Sequence, residues 1–60
     1  MEERLMDIKK LAEILAIKPQ TIRNKLSRGK LEIPTFKVGG KLVWKEADVL
    51  SYINNLKRMN

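Results

Sequence analysis

Within nine positions the chain sets out Gln20, Thr21, Arg23, Asn24, Lys25 and Arg28. These side chains carry amides, a hydroxyl, guanidinium groups and an ammonium. They donate and accept hydrogen bonds, but they exchange no protons near neutral pH. Their chemistry is recognition. The amides of Gln and Asn match the donor–acceptor edge of adenine in the DNA major groove, and guanidinium matches guanine. Thr21, Lys18 three positions before it and the N–H groups of a helix first turn suit phosphate oxygens. The plain alternative is a solvated helix face, which is what most polar faces are.

Catalysis is disfavoured by elimination, since the acidic residues form no obvious isolated pair. The sequence holds no His and no Cys, so Ser27 and Ser51 have no imidazole to activate them. Disulfides and a cysteine- or histidine-based metal site are excluded on the same ground. No enzymatic activity, metal or cofactor is expected. Gly39-Gly40-Lys41 lacks the spacing and the following Ser or Thr of a phosphate-binding loop, and a hairpin turn accounts for it.

The charge is unevenly placed. The chain has a net charge of +6, and residues 18–45 hold eight Lys or Arg against one Glu. That middle segment carries +7, with −1 before it and 0 after it. Such an excess attracts polyanions. It is spread over more than one element, unlike the basic stripe of a membrane-surface helix. No apolar run approaches the roughly 20 residues of a spanning helix, so no membrane association is expected and the default location is cytoplasmic. Sixty residues suit a single domain spanning 1–60, of marginal stability for its size.

Positioning these groups falls to elements with clear signals. Residues 5–17 read as a first helix with a short lead-in: Asp7 is a candidate N-cap, and Ile8, Leu11, Ala12 and Leu15 recur at helical spacing. Ile14 widens that stripe. A second helix begins near Pro19, which suits the first helical position, and Gly29 supplies a left-handed stop. Ile22 and Leu26 point inward together. Only residues 16–18 separate the helices, which forces the sharp crossing of a helix-turn-helix. Residues of about 19–28 would then form a recognition helix.

Residues 31–34 read as a connector, and 35–45 as a β-hairpin wing around Gly39-Gly40. A three-residue loop, with Lys41 at its tip, pairs Val38 with Leu42 and Phe36 with Trp44, placing four large apolar side chains on one face. A two-residue loop splits them, so period-two patterning favours the longer loop. Phe36 and Trp44 are expected in the core and Tyr52 half exposed. Lys37 and Lys41 are candidates for backbone or minor-groove contact, or else are solubilising edge lysines. A last helix spans about 46–57, with Glu46 and Asp48 in its first turn, Lys57 and Arg58 at its end, and Val49, Tyr52, Ile53 and Leu56 inward. The expected fold class is α+β, mostly helical: a winged helix-turn-helix with a two-stranded hairpin wing and a C-terminal helix.

Two stretches, LAEILAIKPQTIRNKLSRGKL and KVGGKLVWKEADVLSYI, together covering residues 11–53, resemble the excisionase-like and AlpA-like small DNA-binding proteins of prophages and other mobile elements, which share a MerR-like winged domain. Gly39, Leu42, Asp48 and Ile53 stand at family-like spacing. The chain departs from that pattern at Ala16, where such turns often have glycine. Lys18 replaces the usual Ser-type cap, Lys25 stands at a commonly apolar place, and the connector from Gly29 to Gly39 is a residue or two longer. The resemblance implies an excisionase or a small transcriptional regulator; helix-face geometry and charge, and not the resemblance, give Lys18, Gln20, Thr21, Arg23, Asn24, Lys25, Arg28, Lys37 and Lys41 as the expected contacts to double-stranded DNA. A single module covers a short site, so a homodimer or a cooperative array on DNA is expected. The alternative is an accessory subunit docking on a larger recombinase or replication enzyme through the last helix, or through Leu31 and Ile33, and binding DNA non-specifically.

Overall fold

A computed structural model describes residues 4–56. The element order is β1 (Leu5–Asp7), α1 (Ile8–Leu15), α2 (Pro19–Ser27), β2 (Phe36–Val38), β3 (Lys41–Lys45) and α3 (Glu46–Asn54). The expected α+β winged helix-turn-helix is present, with one addition. The lead-in to the first helix is a strand, β1, and the antiparallel sheet has three strands in the order β1-β3-β2.

Helix α1 starts where its cap predicts. The Asp7 carboxylate accepts a hydrogen bond of 2.9 Å from the Lys10 backbone N–H, satisfying one of the donors that the first turn leaves unpaired. The helix ends at Ala16, which adopts φ 58° and ψ 39°. This left-handed conformation ordinarily selects glycine, because a Cβ crowds the following carbonyl. The turn therefore keeps its geometry and carries the strain. Three residues later Pro19 opens α2, whose N-cap, Lys18, makes no side-chain capping bond. Gly29, at φ 67°, follows the end of α2 as expected.

Four side chains with no exposed surface come from four different elements: Leu11 of α1, Ile22 of α2, Trp44 of β3 and Val49 of α3. Met6, Ala12 and Ile33 complete the buried core, with Ile8, Leu15, Leu42, Tyr52 and Ile53 among the partly buried residues packed against it. Burial of Ile33 removes it as a docking residue. It is held there by a short hydrogen-bonded chain: the Trp44 indole N–H donates to Thr35 Oγ1 at 2.9 Å, and the Thr35 hydroxyl donates to the Ile33 carbonyl at 3.1 Å. The indole N–H is thus satisfied in the interior, as a buried polar group requires.

The hairpin register differs from the expected one. Val38 pairs with Lys41, Lys37 with Leu42 and Phe36 with Val43, so the loop is the two residues Gly39 and Gly40, and Lys41 is the first residue of β3, not the tip. Both glycines have positive φ, 58° and 83°, the pair of conformations required by a type I′ turn whose twist matches the strands. Gathering four apolar side chains on one face assumed that the hairpin stood alone. Strand β1 changes that balance. Met6 pairs with Trp44, and Met6, Leu42 and Trp44 form the inner face without help from β2. Phe36 and Val38 fall on the outer face, 40% and 55% exposed. The placement of Phe36 in the core is thereby corrected.

Helix α3 ends at Asn54, earlier than expected, and has Glu46 and Asp48 in its first turn. The Glu46 backbone N–H donates to the Arg4 carbonyl at 2.8 Å, tying the helix to the strand that opens the fold. Val49 is buried, with Tyr52 and Ile53 partly so, whereas Leu56 is exposed and does not belong to the inward stripe. Lys57 and Arg58 lie outside the described residues.

Candidate nucleic-acid interface

The inward–outward division of α2 follows from Ile22. With that side chain fully buried and Leu26 half-buried, Gln20, Arg23, Asn24, Lys25 and Ser27 are exposed, as are Lys18 and Arg28 at the helix ends. Thr21 is half-buried. Gln20, Asn24 and Arg28 follow one another at four-residue spacing, so they rise along one side of the helix. The Gln20 amide nitrogen donates to the Asn24 side-chain oxygen at 3.1 Å. An amide NH₂ has two hydrogens, so Gln20 keeps one N–H and its own oxygen for an outside partner while this bond is intact.

The structure brings part of the hairpin to this helix. Arg23 lines a recess of about 330 Å³ together with Asp7, Ile8, Gly40, Lys41 and Leu42. The flank of α2, the start of α1 and the turn end of the hairpin therefore share one concave surface carrying two cations and the Asp7 carboxylate, which is already engaged in capping α1. Lys37 is exposed one residue before Val38, on the strand pair that continues from that turn. Lys25, on the other flank of α2, takes no part in the recess. The grouping of Arg23 with Lys41 was hidden in the sequence, since it depends on the turn length and on the crossing of α1 and α2.

A second recess, of about 340 Å³, is lined by Glu32, Pro34, Asp48, Ser51, Tyr52 and Asn55. It carries two carboxylates and no cation, whereas the first carries two cations beside the single carboxylate of Asp7. Among the described residues no group of three or more His, Cys, Asp or Glu is placed to hold a metal ion, and no helix is long and apolar enough to cross a membrane.

A helix pair joined by a short turn, an outward polar row on the second helix and a hairpin beside it define a winged helix-turn-helix domain. The profile of the family described as "Helix-turn-helix domain" matches residues 5–57. The chain belongs to that family, which includes excisionase-like and AlpA-like small DNA-binding proteins, and its DNA-binding character follows from that membership. Domains of this kind are typically non-enzymatic. No curated protein and no solved structure matches the chain.

Proposed function

We propose that this protein is a sequence-specific binder of double-stranded DNA. In this reading it acts in the cytoplasm as an excisionase or small transcriptional regulator of a mobile element, on a MerR-like winged domain. The observation that carries this reading is the exposed row Gln20, Asn24 and Arg28 on the second helix of the pair. Laid in the major groove, Gln20 offers its remaining N–H and its oxygen to adenine, Asn24 is steadied by Gln20, and Arg28 faces guanine. Lys18, Thr21 and Lys25 contact phosphates. Arg23 and Lys41, facing one recess from helix and hairpin, hold a single stretch of backbone between them, and Lys37 extends that grip along the wing. A module of this size reads a short site, so it works as a homodimer or as a cooperative array along DNA.

The test is a gel-shift comparison of a selected duplex, a random duplex and a single strand over a range of salt. If about five to six phosphates are neutralised, log K falls with log salt at a slope of about −5. The selected duplex is preferred at moderate salt. A slope near zero would remove the mechanism.

A second reading is favoured by one observation, the exposure of Leu50 on the solvent side of α3. Here the domain docks through α3 on a larger recombinase or replication enzyme and holds DNA without reading it. Asn24→Ala combined with Arg28→Ala separates the two readings: sequence preference disappears under the first, and partner binding persists under the second.

A further inference from the structure

Strand β2 is an edge strand, and its three residues alternate in an unusual way. Phe36 and Val38 stand exposed on the outer face of the sheet, and Lys37 lies between them, exposed on the opposite side of the strand. Across the outer face, Val43 pairs with Phe36 and with Asp7, and Leu5, 50% exposed, pairs with Lys45. Leu5, Phe36 and Val38 are open to solvent on this surface, while Val43 and Lys45 are partly buried. An edge lysine is a device against unwanted strand pairing, and that accounts for Lys37. It does not account for the two large apolar side chains on either side of it, which make an edge more adhesive.

We propose that β2 accepts an acid-bearing extended segment of a partner protein as a fourth strand. Main-chain hydrogen bonds along the open edge would supply affinity, and alternate side chains would supply specificity, the usual division in strand addition. The pattern Phe36-Lys37-Val38 asks for its complement: apolar residues opposite Phe36 and Val38, and a carboxylate opposite Lys37. Cross-strand apolar and opposite-charge pairs stabilise such a pairing, and like charges directly opposite oppose it. A second copy of this chain is therefore disfavoured. In a two-fold antiparallel pairing centred on Lys37, that lysine meets its own equivalent, and each chain brings a net charge of +6. Single-stranded nucleic acid fits less well. Val38, Val43 and Leu5 have no ring on which a base could stack, and the one aromatic ring, Phe36, already lies 4.9 Å from the Lys45 ammonium. Base reading by α2 does not use β2, but Lys37, which the proposed DNA mode sets on the phosphate backbone, would be shared between the two partners.

The experiment uses isotope-labelled full chain and two synthetic peptides, one alternating Val with Glu and the other alternating Val with Lys. The Val/Glu peptide is expected to shift the backbone amide signals of residues 36–38, to slow hydrogen exchange at Lys37, and to bind roughly tenfold tighter than the Val/Lys peptide. Lys37→Glu should reverse that preference. A Phe36→Ser, Val38→Ser double variant should lose both peptides, while the buried Trp44 keeps its native fluorescence and duplex DNA binding stays within about twofold. Equal affinity for the two peptides, shifts centred away from β2, or stronger shifts at β2 with an oligothymidylate would overturn the proposal. Duplex binding is measured separately, so failure of strand addition is distinguishable from failure of sequence reading.

Discussion

Helix α2 and the hairpin both present positive charge, but with different side chains. Along α2, amides alternate with cations: Gln20 and Asn24 stand among Arg23, Lys25 and Arg28, and two of these residues are already hydrogen-bonded to each other. Along the hairpin the polar groups are the lysines 37, 41 and 45, and their neighbours are apolar. Lysine is a mobile point charge that suits any phosphate, whereas amides and guanidinium match the edges of particular bases. The proposed DNA mode divides the labour along the same line. The helix has the groups to discriminate and the hairpin has the groups to hold, and the Arg23–Lys41 recess is where the two meet.

The largest expected effect breaks both arms together. Trp44 lies fully buried between the sheet and the helices, so Trp44→Ala should cost about 3–5 kcal/mol by urea denaturation. A domain this small has little stability to spare, and duplex binding should be lost with the fold. Retention of full affinity would mean that α2 works without the hairpin frame. Next in size, Arg28→Ala should cost about 1–3 kcal/mol against the preferred duplex. It should leave random-duplex binding less affected, seen as a collapse of the affinity ratio between the two. Ala16→Gly should relieve the left-handed strain and raise stability by about 1 kcal/mol, with a higher thermal midpoint and unchanged DNA affinity, because the turn geometry is already in place. The smallest effect belongs to the hairpin. Lys41→Ala should weaken all duplexes alike by a few-fold and make the salt slope shallower by about 1. If Lys41→Ala changed the preferred sequence, the division between reading and holding would fail.

How far the sequence discloses this arrangement depends on which signals are local. The Asp7 cap, Pro19 at the start of α2, Gly29 after it and the outward direction of Gln20 and Asn24 each depend on a few neighbouring residues, and each is legible in the amino-acid order alone. The strain at Ala16 is local too, since the turn has only residues 16–18 in which to reverse. The hairpin register is not local. Gly39-Gly40 already carries the signature of a two-residue turn, but the wish to bury Phe36 beside Trp44 argues for a longer one. What decides between them is β1, three residues some thirty positions upstream, read as the lead-in of a helix because a strand that short has almost no periodicity of its own. Once Met6 covers Trp44, the sheet needs nothing more from Phe36. The same long-range pairing explains why the recess shared by Arg23 and Lys41, and the exposed edge of β2, are not readable from residue spacing. Burial of Ile33 likewise rests on Thr35 bridging to the indole of Trp44, a contact nine residues apart.

The proposed DNA mode of this domain turns on base reading by α2. Its most direct test is an unbiased selection of bound duplexes from a random pool, run in parallel with the native chain and with Asn24→Ala. The native chain should enrich a short motif, and the variant the same motif with one or two positions relaxed. Enrichment of no motif by the native chain, or an identical motif from the variant, would contradict base reading by α2.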